Sequence, residues 1–254
     1  MVNTFITRYP LSDAIKDLDY RRLGKQRVEA QQVLTAILSA HAIAKEYCLP
    51  ECPSTLEHPG PRGDILREIW YTTVYDYYKT VVNARNEYLY RDNDGTKFST
   101  TSTLSCCKRV GFGFAHHPVT FMWVGYEDGL RYYITLCIQE WIKRGYKNTM
   151  TTYLFSHEPE LPWWIKCPTF QHSQRSALLR KEKMRKEAPW YWKMPHIVDG
   201  TANTVWYHIG YLWTNHLSLE NRLLLQEGNL LPELCADIMN DFPEENSSSE
   251  GVDK

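Results

Sequence analysis

"HPVTFMWVGYEDGLRYYITLCIQEWIKRGYKN", residues 117–148, decides the fold. His117 stands where a helix cap belongs, and Pro118 takes the first helical position, which tolerates a missing N–H. Gly145 follows Lys143 and Arg144 as a terminator. Val119, Met122, Tyr126, Leu130, Tyr133, Cys137 and Trp141 recur at spacings of three and four, an apolar stripe of helical period. The spacing predicts one continuous rod roughly 40 Å long at about 1.5 Å per residue, the spine of a small domain.

Upstream, Ala30, Leu34, Ile37, His41 and Ala44 predict a second helix over about 25–45, and Ser12-Asp13 caps a short one before it. Four prolines break residues 48–63 into a loop. The aromatic-rich stretch 64–91 reads as a helix that ends before Asp92-Asn93-Asp94-Gly95, and 95–115 shows no period. Downstream, a Pro- and Trp-rich connection (158–170) leads to a basic helix over 170–188, stopped at Pro189. Residues 200–240 hold one or two further helices, notably LSLENRLLLQEG, closed by Gly228. Strand-like alternation is scarce. The expected class is therefore mainly α: a compact helical domain around a long central helix. Its parts are a body over 1–195 with a helical insertion at about 45–110, a C-terminal helical extension over 196–240, and an acidic, disordered tail over 241–254.

The chain has 254 residues, 43% hydrophobic and 23% charged, ordinary for a globular protein with a sizeable core. No stretch has the eighteen or so consecutive apolar residues of a membrane span, and no basic segment precedes an apolar run near the start. Seven irregularly spaced cysteines then read as reduced thiols in an intracellular protein, cytoplasmic or nuclear and not secreted. The net charge of −1 hides an uneven distribution. Residues 231–254 carry seven acids against Lys254 alone; the remainder holds 28 basic and 23 acidic residues, a net of +5. That excess gathers in Arg21, Arg22, Lys25 and Arg27, and again from Arg175 through Arg180 and Lys181 to Lys193.

Several chemistries drop out on spacing. Gly24-Lys25 lacks the upstream glycine and the following hydroxyl residue of a phosphate loop. Cys48 and Cys52, with His41 and His58 nearby, match no zinc-ligand spacing, so neither metal nor cofactor is expected. His116-His117 is open between capping or packing and a functional pocket. The basic helix carries charge on several faces, unlike a membrane-surface helix, and it leads to Trp190, Tyr191 and Trp192. Cations attract phosphates and aromatic faces stack on exposed bases, so DNA is the partner this combination suits, against the plain reading of a solvated helix and a core aromatic run.

A resemblance ties these segments together. His117-Pro-Val-Thr-Phe-Met-Trp-Val-Gly-Tyr, continued through Trp141-Ile-Lys-Arg-Gly-Tyr-Lys-Asn148, resembles the central helix of the endonuclease V-type pyrimidine-dimer DNA glycosylases. Asp19-Tyr20-Arg21 with Leu23 and Lys25 resembles that family's first basic segment. Ser173-Gln174 through Lys186, then Pro189-Trp190-Tyr191-Trp192-Lys193, resembles its basic helix and aromatic end. A bacterial branch shares "RRLGKQRVEA" and "SALLRK". The likeness covers roughly residues 1–35, 112–150 and 170–193.

The resemblance implies a helical domain that bends duplex DNA and a nucleophile at the processed N-terminus. That amine would belong to Val2 if Met1 is removed, and to Met1 otherwise. Its ordinary pKa of about 8 leaves a neutral fraction near pH 7. It would attack C1′ of the damaged nucleotide and form an imine that can proceed to strand cleavage. The family also uses a glutamate to stabilise the sugar's positive charge, and Arg22 takes that place here. Glu29, seven residues on, approaches the same helix face. Arg21 and Lys25 match positions near phosphates. Arg22, Arg27, His116, His172, Arg175, Arg180, Lys181, Trp190, Tyr191 and Lys193 complete the expected DNA contacts. Three readings follow: a repair glycosylase with AP-lyase chemistry; a DNA-binding scaffold that lost the chemistry; or a small-molecule site holding an anion on Arg22, His116, His172 and Arg175. The insertion and extension are expected surfaces for protein partners or self-association.

Overall fold

The structure, a computed structural model, describes residues 4–92, 112–185 and 212–228, without the side chains of 82–92 and 179–185. Among the described residues the fold is helical and holds no strand. Its helices are α1 (Leu11–Lys16), α2 (Tyr20–Glu46), α3 (Gly60–Asp92), α4 (Pro118–Trp123), α5 (Glu127–Lys143), α6 (Pro168–Arg185) and α7 (Leu219–Gln226). Short 3-10 turns at Trp163–Lys166 and Thr214–His216 precede α6 and α7.

α2 and α5 form the centre and pack along their length. The α2 residues Ala30, Leu34, Ile37 and Ala44 are buried as their period predicts, and Leu130, Tyr133 and Cys137 meet them from α5. His41, predicted in the same stripe, is instead partly exposed and bonded to Glu127 (3.1 Å). α2 also begins five residues earlier than its apolar period suggests. Asp19 caps it, accepting from the backbone N–H of Arg21 (2.9 Å) and Arg22 (3.1 Å). The four cations of residues 21–27 therefore lie within the first two turns of a helix.

The single rod expected over 117–144 is two helices. His117 caps α4 as predicted, but the chain leaves helical geometry at Val124, and Gly125 has φ of +85°. An added Cβ at Gly125 would stand 2.2 Å from Arg67 Cδ. The break thus lets a fully buried arginine pass the backbone, and Glu127 secures the new helix start by accepting from Gly125 N–H (3.0 Å). The apolar stripe continues through the break, because Tyr126 stays buried on the far side of it.

α3 is held to the body by polar contacts. Arg67 donates to Asp64 (2.6 Å), Tyr126 Oη (3.1 Å) and the His58 carbonyl (2.9 Å), while Trp163 donates to the other Asp64 oxygen (2.7 Å). Arg222 of α7 grips Glu68 of α3 with two bonds of 2.8 and 2.9 Å. Residues 212–228 therefore clasp the start of α3. No described helix is long and apolar enough to cross a membrane.

Candidate nucleic-acid interface

The two turns that open α2 present two different faces. Arg21 and Lys25, four apart, point outward and are exposed. On the neighbouring face, Gln26 and Glu29 turn toward the first described residues of the chain. Thr4 to Thr7 are all buried. Phe5 N–H donates to Gln26 Oε1 (3.1 Å), and Gln26 Nε2 donates to Glu29 (3.3 Å). Tyr133 of α5 donates to Gln26 Oε1 (3.1 Å), with the Phe5 carbonyl 3.4 Å away, and Trp123 of α4 donates to Thr4 Oγ1 (3.0 Å). Burial, with Cys137 and Glu29 close by, pushes the Tyr133 phenol well up, so it stays a neutral donor. Glu29 is 6% exposed, and its other oxygen lies 3.2 Å from Lys25 Nζ.

Arg22, standing where the resemblance calls for a carboxylate, is bound by the capping Asp19. Burial alone would raise the Asp19 carboxyl, but the Arg22 N–H and guanidinium hold it below the usual range. The pair keeps charges balanced at the helix start, where cations alone would oppose the helix dipole.

Arg27 does something the sequence did not suggest. Its guanidinium lies 4.1 Å over Trp141 and donates to Asn148 Oδ1 (3.1 Å). Trp141 stacks on Tyr146 at 4.1 Å and 24°, and Tyr146 lies nearly parallel to Tyr20 at 6.4 Å and 23°. Gly24 makes room for this stack, since a Cβ there would come within 3.0 Å of Trp141. Gly24-Lys25 is therefore a packing feature of a helix and not a loop around phosphates. The far side is fixed by the end of α5. Gly145, at φ +85°, closes the helix with bonds from Gly145 N–H to Ile142 (2.8 Å) and Tyr146 N–H to Trp141 (3.2 Å). This is the pairing whose apolar contact joins Tyr146 to Trp141. Arg144 then braces the corner between α1 and α2, donating to the carbonyls of Leu18 (2.6 Å) and Lys16 (3.1 Å).

Other expected contacts fall elsewhere. Arg175 donates to His172 Nδ1 (2.6 Å), and burial together with that guanidinium lowers His172 to about 4, so the ring is neutral at pH 7 and offers no cation. Arg175 itself feels Asp17 and Arg8 beside the α1–α2 corner. His116 packs edge-on against Tyr75 of α3 (4.6 Å). The side chains of Arg180 and Lys181 on α6, and all of Met1, Val2, Trp190, Tyr191 and Lys193, lie outside the described residues. Burial drives Cys52 up to about 12, an unreactive thiol, and no group of three or more potential metal ligands gathers among the described residues.

A family model described as pyrimidine dimer DNA glycosylase matches residues 2–154. The chain belongs to that family. The match spans the whole of α1 to α5, including the block at 45–110, and ends before α6. No curated protein and no solved structure matches the chain. The sequence does not show that Tyr20, Trp141 and Tyr146 stack together, or that Gln26 and Tyr133 bond to the start of the chain. Gly24 was the available signal: a helical glycine marks close approach by something large.

Proposed function

We propose that this chain binds DNA across the opening turns of α2 and carries a base-excision glycosylase and AP-lyase chemistry that uses its terminal amine, with Glu29 in the role of the family's glutamate. Arg21 and Lys25 hold backbone phosphates. The amine of Val2, or of Met1 if retained, attacks C1′. As the N–C1′ bond forms, the bond to the base breaks, and the base leaves with the electron pair and takes up a proton. Opening of the sugar's C1′–O4′ bond then gives the imine, and loss of a C2′ proton expels the 3′ phosphate.

The observation that supports this is the chain of bonds from Phe5 N–H through Gln26 to the buried Glu29 carboxylate. The amine of Val2 or Met1, three or four residues upstream of Phe5, has at most about 14 Å of chain between itself and that network. Arg22 is tied to Asp19 and supplies no carboxylate, while Glu29 is the buried carboxylate bonded to Gln26, which supports giving it that role.

Borohydride trapping on abasic and dimer-containing duplexes tests the reading. Wild-type protein forms a covalent complex that is lost on acetylating the terminal amine. Glu29→Gln slows strand cleavage on the order of 100-fold or more while DNA binding persists. The second reading, a scaffold that binds without chemistry, is favoured by the cation at position 22. Salt-dependent binding with no trapping on either duplex would establish it and remove the first.

A further inference from the structure

We infer that the stack of Tyr20, Tyr146, Trp141 and Arg27 is a platform for an unpaired nucleobase of single-stranded or gapped DNA, distinct in role from the duplex-facing phosphate contacts. The inference rests on the DNA-binding reading above and gives this surface a second specificity.

Two large aromatic side chains stand in water here. Tyr20 is 48% exposed and Tyr146 38% exposed, although Tyr146 lies between Tyr20 and Trp141, and Trp141 is backed by Arg27. The ledge is built from both ends of the fold's centre: the α5 terminus with its Gly145 turn, and the first turn of α2 held there by Arg144. Arg21 lies 5.5 Å from the Tyr20 ring centre, and Lys25 and Lys147 are neighbours in sequence of Gly24 and Tyr146; all three cations are exposed. Arg21 reaches over the Tyr20 ring edge, donating to its hydroxyl (2.9 Å). An apolar protein partner would want this surface without the cations, and a duplex alone would want the cations without the rings. Flat π faces ringed by positive charge suit an unstacked base flanked by phosphates. The ring faces read no base edge, so the platform is indifferent to sequence.

The test uses full-length protein and three oligonucleotides of one sequence: a single strand, a duplex, and a duplex with a short gap, each with 2-aminopurine at one position. Stacking on the platform quenches 2-aminopurine in the single strand and in the gap. Tyr20→Leu with Tyr146→Leu abolishes the quench and weakens single-strand binding roughly 5- to 100-fold, while duplex affinity stays within about twofold. Tyr20→Phe with Tyr146→Phe keeps both the rings and the quench. Duplex binding by wild-type protein with no quench in any context overturns the platform and leaves the DNA-binding reading standing. No salt-dependent affinity for any of the three removes both. Where the double leucine variant fails to fold, Tyr20→Leu alone, at a half-exposed ring, decides the matter: a quench unchanged from wild type overturns the platform.

Discussion

Two arginine–tyrosine pairs in this molecule share local geometry and differ in everything around them. Arg67 lies 5.0 Å from the Tyr126 ring centre, and Arg21 lies 5.5 Å from that of Tyr20. Arg67 is 0% exposed and has a carboxylate, a phenol and a carbonyl as acceptors. Arg21 is exposed on a half-exposed ring. The first pair spends its charge inside the fold, joining α3 to the body, whereas the second presents charge to the solvent. An arginine count, or an arginine beside an aromatic, says nothing about which of these a chain has made.

Substitutions separate the two. Arg67→Met leaves the Asp64 carboxylate buried without its countercharge, which costs about 3–5 kcal/mol in guanidinium unfolding; a loss under about 1 kcal/mol would show that the pair does not hold α3. Gly125→Ala strikes the same region through the backbone. A side chain at φ +85° is strained by about 1–3 kcal/mol, and its Cβ stands 2.2 Å from Arg67 Cδ, so the melting temperature falls by several degrees.

His172 gives a milder, pH-dependent effect near Arg175. Its folded pKa of about 4 lies below the ordinary 6.5, so the unfolded chain binds the extra proton between those values. Stability therefore declines as pH falls from about 6.5 to about 4, and His172→Gln flattens that slope. An unchanged slope would mean that another group sets it. The smallest effect on folding belongs to the exposed pair. Arg21→Gln shifts stability by less than about 1 kcal/mol, yet lowers the slope of log affinity for DNA against log salt by about 1. A stability loss as large as that of Arg67→Met would erase the contrast.

Much of the centre was legible in the sequence because its signals are local. The period of Ala30, Leu34 and Ile37, the cap at His117 and the terminator at Gly145 each depend on neighbours within a few residues. The break at Gly125 was not legible, since its cause is Arg67, far away in the chain, and the stripe runs on through Tyr126. The start of α2 lies ahead of its apolar period because its first turns are polar; the sequence signal for it is Asp19, a capping residue. Within the site, Arg21 and Lys25 lie on the outward face, and Glu29 shares a face with Arg22 as its spacing of seven implied. Arg27 was counted with the other cations, but its partner Asn148 lies 121 positions away and no pattern around residue 27 announces it.

The Gly145 turn also bears on kinetics. Because folding itself sets Tyr146 against Trp141, and Arg144 anchors the corner from which the α2 helix and Tyr20 start, part of the ordering of this stack precedes any ligand. Charges at the rim, Arg21 and Lys25, then govern how fast an oligonucleotide lands, and that rate varies with ionic strength. On the platform proposed above, the preformed rings would govern how long it stays, which salt affects far less.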